Sequence, residues 1–370
     1  MTKPTRDESI CFLNYDLSFG GTEKVIVSLA NHLCSLGRPI TIITLSSNND
    51  FQKFLDPKVE IISLEISSMK RFIPRLISLL NARKFDNFVA NVWPLTSLSF
   101  VVKIISSKTK LIYIEHCNLS EQFKTRNYFF KFMQSLSIYV LYKFSDLVIA
   151  VSQGVKEDLI SRGVRKEKIQ VIYNPVISPL ASSIYDASNF AVSSWLECNG
   201  KKLIAVGEMK PQKNFVNLIK AFAYAKEELK QDISLLILGD GAERGMLQEK
   251  IIELNLQEKI FLAGWVPDPM PYFKLSDLFA LSSDYEGFGV VIVEAMSQGV
   301  NVVSTDCKSG PSEILKDGEL GYLCKVNDPI SLGESIEQAL NSPIDAQLLI
   351  DRAKEFSEAK IGKLYEEIFI

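Results

Sequence analysis

The sequence predicts an α/β protein of two domains, each a mainly parallel sheet with helices on its faces. Three observations carry that prediction. Short apolar runs alternate with amphipathic helical patterns along most of the 370 residues, as parallel strands joined by crossover helices do. The alternation halts at Asn174-Pro175, crosses a loose Ser-, Ala- and Asn-rich stretch at 176–199, and restarts at Leu203. A chain of this length buries two separate cores. The expected boundaries are a first domain at 1–180, a linker at 181–200 and a second domain at 201–356. A last segment, 357–370, is expected to pack back toward the first domain.

At 47% hydrophobic and 23% charged residues the chain is globular, not disordered. Six cysteines (Cys11, Cys34, Cys117, Cys198, Cys307, Cys324) lack CxxC spacing and read as reduced thiols of a cytosolic protein. They suggest neither a zinc site nor a disulfide framework. Met1 to Ser9 is polar, which predicts no signal peptide, and no apolar run reaches the roughly 18 to 20 residues of a membrane span. The net charge of −3 conceals an asymmetry: residues 1–190 hold 23 Lys+Arg against 16 Asp+Glu, and residues 191–370 hold 18 against 28. Only the first half is expected to face something anionic. Nucleic acid is not expected, since the chain is acidic overall and shows no nucleic-acid motif.

In order, Ile10-Cys11-Phe12-Leu13 is a short buried strand running into Asn14 to Lys24, with a helix following to about Leu36. Gly20-Gly21 at that strand-to-helix turn either admits a ligand close to the backbone or simply makes a tight turn. The run is not GxGxxG, so no dinucleotide fingerprint is present. Strands continue at Ile40–Leu45, Val59–Leu64, Phe88–Val92, Lys110–Glu115, Leu147–Val151 and Ile169–Tyr173. Glu115-His116-Cys117-Asn118 closes one of them at the end where parallel sheets collect ligands. His32, inside the first helix, reads as structural. His116 suits a hydrogen bond to a hydroxyl or phosphate oxygen, or else is a satisfied structural histidine.

Two stretches of this half mix bases with aromatics. One is Met69 to Leu76 with Arg83-Lys84. In the other, Phe123 to Phe144, Lys124, Arg126 and Lys131 are interleaved with Tyr128, Phe129, Phe130, Phe132, Tyr139 and Tyr142. Such helices either contact an anionic lipid surface or carry a core-facing aromatic stripe with solvated lysines.

The second half opens with the strand Leu203–Gly207 and the loop Glu208-Met209-Lys210-Pro211-Gln212-Lys213-Asn214, where Lys210 and Lys213 are placed to meet phosphate or stay solvated. A helix to about Leu229 precedes the strand Ile233–Leu238, which ends in Gly239-Asp240-Gly241. Ile260 to Val266 is another strand-to-loop exit, with Trp265 and Val266 offering a wall for a base. Ser276–Ser282 is a strand, and so is Val300–Ser304, which leads into the polar loop Thr305 to Glu313. An amphipathic pattern from Ser331 to Phe356 closes the domain.

Between those last two strands lies the stretch on which function turns, Ser283-Asp284-Tyr285-Glu286-Gly287-Phe288-Gly289-Val290-Val291-Ile292-Val293-Glu294-Ala295-Met296. Free amides at a helix start suit a phosphate. Glu286 and Glu294, on either side of those amides, suit the hydroxyls of a sugar and a ribose. An ordinary connection with a solvated Glu286 is the alternative.

These residues, in this order, resemble the bacterial retaining glycosyltransferases of family 4, with the GT-B fold of two Rossmann-like domains facing each other across a cleft. The resemblance spans nearly the whole chain: Gly-Gly-Thr-Glu-Lys, the Glu-His pair, Asn174-Pro175, the loop to Lys213-Asn214, Leu238-Gly239-Asp240-Gly241, and Glu286 through Glu294, which is similar to the family's EX7E motif. It implies that Glu286 binds the donor sugar and that the amides of Phe288 and Gly289 hold the diphosphate, with Gly287 also on the donor side. Glu294 would bind the ribose, Lys213 would neutralise the leaving group, and Trp265 and Val266 would flank the base. Gly20 and Gly21 would admit the phosphates, and His116 would touch the transferred sugar. Gly239 and Lys210 join the donor side. One departure stands out: Glu208 occupies a position where the family usually carries an arginine that pairs with the diphosphate. Lys210 could replace its charge.

The resemblance further implies transfer of a hexose or N-acetylhexosamine from a UDP-sugar, with retention and front-face attack, to a lipid-linked or lipopolysaccharide-type precursor. No cofactor and no metal are expected, and no DxD motif occurs in the donor loops. The expected place is cytoplasmic, peripherally held at the inner face of the membrane by the N-terminal half. A GDP-mannose-dependent mannosyltransferase is a second reading, and a non-catalytic nucleotide-sugar-binding subunit, for which Glu208 argues, is a third.

Overall fold

The computed structural model describes residues 8–18, 20–66, 68–176, 185–229 and 232–369. The chain forms two compact units, Met1–Pro175 with Glu358–Ile370, and Val176–Ser357.

Among the described residues the first unit holds seven strands: β1 (Ile10–Asn14), β2 (Ile40–Thr44), β3 (Glu60–Ser63), β4 (Asn87–Asn91), β5 (Lys110–Glu115), β6 (Leu147–Ala150) and β7 (Ile169–Val171). Their order is β3-β2-β1-β4-β5-β6-β7, and every pairing is parallel. β1, β2 and β4 are buried at every residue, which is why they read as near-continuous apolar runs. From β1 the chain builds outward to β2 and β3, then crosses back for β4. The carboxyl ends of β1 and β4 therefore flank a topological switch point, where open α/β sheets bind ligands.

The second unit repeats the scheme with β8 (Lys201–Val206), β9 (Ile233–Leu238), β10 (Ile260–Gly264), β11 (Leu278–Leu281), β12 (Asn301–Thr305) and β13 (Tyr322–Cys324). The order is β10-β9-β8-β11-β12-β13, again all parallel, and the switch point lies between β8 and β11. Leu203, Leu235, Ile237 and Leu278 of the sheet pack with Leu218, Phe222, Leu332 and Ile336 of the covering helices. Each such side chain contributes about 1.5 to 3 kcal/mol. The three-residue edge strand β13 is too short to show a sequence period.

Two expectations need correction. The stretch expected to be a linker contains a helix, Phe190–Glu197, capped by the Asn189 side chain and packed on β9 and β10. Its Trp195 is fully buried. Ser, Ala and Asn made the segment look loose, yet Asn189 is a cap and Val192 and Trp195 share one helical face. The rest of that expectation, 177–184, lies outside the described residues. The pattern from Ser331 to Phe356 is two helices, Pro329–Asn341 and Ala346–Lys354. The final helix, Glu358–Ile368, lies in the first unit. There Glu366 Oε1 is 2.8 Å from His32 Nε2, and a Cβ on Gly362 would come within 2.6 Å of that ring. His32 is thus a packing residue.

The two basic-aromatic stretches differ. In Phe72–Ala82 the apolar side chains Phe72, Leu76 and Leu80 go into the core, leaving its one cation, Arg75, exposed. In the helix Tyr128–Leu141 only Gln134 and Ile138 are buried, while Tyr128 (84%), Phe129 (71%), Phe132 (53%), Leu136 and Tyr139 are exposed. Tyr128, Phe129, Phe132 and Tyr139 point outward, not into the core, while Phe130 turns in against Trp93 and Phe123. No described helix is long and apolar enough to cross a membrane.

Candidate functional site

In the second unit, β8 ends in the loop that carries Lys213, and β11 ends in the loop that carries Glu286. The two loops meet across the switch point. Lys213 Nζ lies 2.6 Å from Glu286 Oε1, and both side chains are about nine-tenths buried. Ser283 Oγ donates to the same oxygen at 2.6 Å, so Oε1 is doubly engaged and Oε2 faces a different direction. Further bonds fix the geometry. Gln212 Nε2 donates to Tyr285 O at 2.9 Å, Asn214 Nδ2 to Asp284 Oδ1 at 2.7 Å, and Ser282 Oγ to Lys213 O at 2.8 Å. A third loop closes from β12, where the Glu286 amide donates to Lys308 O and the Ser309 amide to Glu286 O.

Gly287, Phe288 and Gly289 lead into the helix Val290–Ser297. Gly289, at φ +99°, caps it in the left-handed region that disfavours any side chain. Phe288 is buried against Phe356 with ring centroids 5.2 Å apart. A Cβ at Gly310 would sit 2.0 Å from Phe288 O, so glycine there lets the third loop press on this turn. Glu294 is buried in the helix, little more than one turn from its start. Gly287 to Gly289 belong to the turn and not to the helix.

The other donor-side candidates lie along the same edge. Lys210 Nζ is 2.7 Å from Glu208 Oε2, both exposed. The acid in place of the usual arginine is therefore already neutralised. Gly239 is a packing glycine at φ +139°, since a Cβ would fall 1.9 Å from Gly207 O. Trp265, 40% exposed, and Val266 follow β10, two strands and roughly 10 Å from β8.

In the first unit, His116 follows β5 and is 5% exposed. Its Nε2 is 3.3 Å from Asn91 Oδ1, and Asn91 Nδ2 donates to Leu13 O at 3.1 Å. The amide orientation so fixed makes Asn91 Oδ1 the acceptor and Nε2 the protonated nitrogen. Nδ1 is then a bare acceptor, and it has no partner among the described residues. Burial holds the imidazole down at about 4, so the ring is neutral at physiological pH. Behind it the buried Glu115 accepts from Thr96 Oγ1 at 2.8 Å, from the Tyr142 hydroxyl and from the Trp93 amide at 3.4 Å. Burial outweighs these bonds and raises its pKa to about 7. Between Asn91 and Trp93, Val92 takes φ +62°, a conformation rare for a β-branched residue and typical of functional sites. Trp93, Phe123 and Phe130 form an aromatic cluster with centroids 5.3 to 5.8 Å apart. Gly20 has an ordinary extended backbone, and a Cβ on Gly21 would meet nothing within 4 Å. The fold itself gives no reason for glycine at Gly21.

Asn91, Ser283, Gln212 and the Glu115 network were not found in the sequence. A polar residue ending an otherwise apolar strand, as Asn91 does, is the signal that could have shown one of them. Among the described residues no group of three or more His, Cys, Asp or Glu side chains could hold a metal ion.

Known proteins align with both units. Residues 19–177 match the model of "Glycosyltransferase Family 4" and residues 193–356 that of "Glycosyl transferases group 1". The chain is 29% identical to the N-acetylgalactosamine-N,N'-diacetylbacillosaminyl-diphospho-undecaprenol 4-alpha-N-acetylgalactosaminyltransferase of Campylobacter jejuni, over 94% of this chain and 96% of that protein. It is 26% identical to the same organism's GalNAc-alpha-(1->4)-GalNAc-alpha-(1->3)-diNAcBac-PP-undecaprenol alpha-1,4-N-acetyl-D-galactosaminyltransferase, over 97% and 96%. Among solved structures, Anabaena Alr3699/HepE in complex with UDP-glucose superposes with a TM-score of 0.79 at 22% identity, covering 98% of this chain and 99% of that one. With the two family models accounting for both units, the chain is an enzyme of the family 4 glycosyltransferases, built on the GT-B fold.

Proposed function

We propose that the chain transfers a hexose or N-acetylhexosamine from a UDP-sugar, with retention and without a metal ion, to a lipid-linked or surface-polysaccharide precursor. The observation that carries this reading is the buried Lys213–Glu286 pair beside the Gly287–Gly289 amides at the β8/β11 switch point. Breaking the bond from anomeric carbon to diphosphate builds negative charge on the leaving group. Lys213 and the amides of Phe288 and Gly289 are preorganised donors for that charge. Glu286 Oε2 accepts from the donor sugar's hydroxyls, and Glu294 accepts from the ribose. Trp265 and Val266 flank the base, with Gly239 and Lys210 at the edge. Lys210 offsets Glu208, so the diphosphate meets no net negative charge from that loop.

The first unit supplies a neutral imidazole. Taken by itself, that unit has open space at Gly21, whereas the Glu23 carboxylate fills the space at Gly20, and His116 Nδ1 is an acceptor for a sugar hydroxyl. The acceptor hydroxyl attacks from the face that the leaving group vacates. Its oxygen bonds the anomeric carbon as the bond to the diphosphate breaks, and its proton passes to the departing diphosphate oxygen. Two relatives aligned over almost the whole chain are named for N-acetylgalactosamine and for diphospho-undecaprenol, which supports an N-acetylhexosamine donor and a polyprenyl-diphosphate acceptor. The outward aromatic face of Tyr128–Leu141, with Lys124 and Arg126 beside it, supports peripheral binding to an anionic membrane from the cytoplasmic side.

The test is turnover of purified protein with a panel of UDP- and GDP-sugars and a diphosphate-linked acceptor, with and without excess EDTA. One UDP-sugar is expected to be consumed, giving an α-linked product whether or not chelator is present. Use of GDP-mannose alone would refute the UDP carrier, a β-linked product would refute retention, and rescue of chelated enzyme by Mg²⁺ would refute metal independence.

A further inference from the structure

The amino ends of β6 and β7 hold a feature with no part in the chemistry above. A cavity of about 160 Å³ opens there, lined by Tyr139, Tyr142, Lys143, Gly163, Arg165 and Lys168 among others. Residues 142–144 lead into β6 and residues 166–168 into β7. It therefore lies at the opposite end of the sheet from His116, which follows the carboxyl end of β5. Its volume equals about five waters at ~30 Å³ each, enough for a phosphoryl group.

Three cations line this space and none has a carboxylate partner among the described residues. Lys143 Nζ rests 4.1 Å from the Tyr139 ring centroid. Lys168 Nζ donates to Lys143 O at 2.8 Å and Ser145 O at 2.5 Å. Arg165 is exposed. The nearby Asp146 is taken by Lys103 at 2.6 Å, and the other neighbouring acid, Glu167, is exposed. Burial first, then the Arg165 and Lys103 charges against a partial offset from Asp146, hold Lys168 below the usual lysine range. The walls are fixed: Gly163 sits at φ +85°, and a Cβ there would come 2.6 Å from the Tyr139 ring.

The cavity continues the exposed aromatic face. Phe129, Phe132, Leu136 and Tyr139 recur at helical spacing along one side of Tyr128–Leu141, and Tyr139 is both the end of that stripe and a wall of the cavity. We propose that the Lys143–Arg165–Lys168 cavity binds the phosphate of an anionic phospholipid headgroup when the Tyr128–Leu141 face lies on a bilayer. The stripe supplies apolar insertion that any phospholipid satisfies. The cavity supplies the preference for an acidic lipid, with the Arg165 fork and the Lys143 ammonium on the phosphoryl oxygens. This rests on the membrane reading given above, and the test separates the two.

Full-length protein is titrated with vesicles of phosphatidylcholine alone and of phosphatidylcholine mixed with phosphatidylglycerol. Lys143→Ala with Arg165→Ala is expected to lower the preference for the anionic vesicles by roughly tenfold to thirtyfold, leaving binding to phosphatidylcholine unchanged. Lys124→Ala with Arg126→Ala, outside the cavity, is expected to cost clearly less. Equal losses from the two pairs would mean diffuse attraction and overturn the cavity site, as would an unchanged preference in the cavity pair. The isosteric-length pair Lys143→Gln with Arg165→Gln repeats the measurement if the alanine pair folds poorly. Phe129→Ser with Phe132→Ser should abolish binding to both vesicle types. Wild-type protein that ignores all vesicles would overturn the membrane reading and this one together. Inorganic phosphate that shifts the melting temperature of wild type but not of the cavity pair, with no vesicle preference in either, would assign the site to a soluble phosphate and overturn the lipid.

Discussion

The two sheets end in the same way and are wired oppositely. At the switch point of the second unit sit a full positive and a full negative charge, Lys213 and Glu286, held 2.6 Å apart and fixed by Ser283. One strand over from that of the first, at the end of β5, sit His116, which burial keeps neutral, and Glu115, whose pKa burial lifts to about 7. One topology, used twice, thus yields a charged end and an end whose ring is uncharged beside a carboxyl that titrates near 7. The charged end suits a diphosphate, whose negative charge grows during reaction. The end with the uncharged ring suits hydroxyls, which need an oriented lone pair. The difference arises from partners: Glu286 has a cation within hydrogen-bond reach, while Glu115 has only hydroxyls and an amide.

Removing the charge from the charged end should have the largest effect. Lys213→Ala is expected to lower turnover about 100- to 1000-fold, the loss typical of one positioned donor, and Glu286→Gln by a similar factor with the fold intact. Near-normal turnover in both would erase the contrast between the two ends. Glu286→Ala should also destabilise the second unit by about 3 kcal/mol, because it strands the Lys213 charge in a buried site. Urea unfolding of the single and double variants gives the coupling between the two residues.

The uncharged end predicts a pH signature. The folded-state pKa of His116, about 4, lies below the ordinary 6.5, so the unfolded chain takes up the proton first and stability falls as pH drops from 6.5 to 4. For Glu115 the folded value, about 7, lies above 4.5. The folded state then keeps a proton that the unfolded chain has lost, and stability falls as pH rises from 4.5 to 7. Each effect is roughly 3 kcal/mol and they oppose each other, so the wild-type profile is flattened. His116→Gln should uncover a loss of stability with rising pH, and Glu115→Gln a loss with falling pH. Unfolding curves for the two variants that run parallel with pH would show that neither group is held neutral.

The smallest effect concerns the acid at the edge of the charged end. Lys210 already offsets Glu208, so Glu208→Arg should lower the donor KM only several-fold and leave kcat little changed. A kcat gain of a hundredfold would mean that the natural glutamate cripples the enzyme.

The alternation of apolar runs was enough to show two parallel sheets, because strands buried on both faces are apolar at nearly every residue. The Glu286–Glu294 stretch and the loop of Lys213 were legible because glycines and acids at strand ends are sparse. What stayed hidden depended on distance in space. Ser283 is one serine among many until its hydroxyl is seen on Glu286, and Asn91 is an unremarked strand terminus until it meets His116 from the neighbouring strand. The helix Phe190–Glu197 was missed because cap and anchor residues are outnumbered there by small polar ones. The outward turn of Phe129 and Phe132 was open for a different reason: periodicity gives the face of a helix and not the side on which the core lies.

Tyr142 follows directly on that outward helix, yet its hydroxyl bonds Glu115, whose carboxyl also takes the Trp93 amide beside the His116 pocket. Were the helix to roll as it beds into lipid, it would have to tear the phenol from the carboxyl or pull the carboxyl along. Attachment and reactivity are in that sense riveted together by one ring. Tyr142→Phe, which draws the rivet and leaves the ring, is expected to give an enzyme whose rate no longer responds to the presence of vesicles.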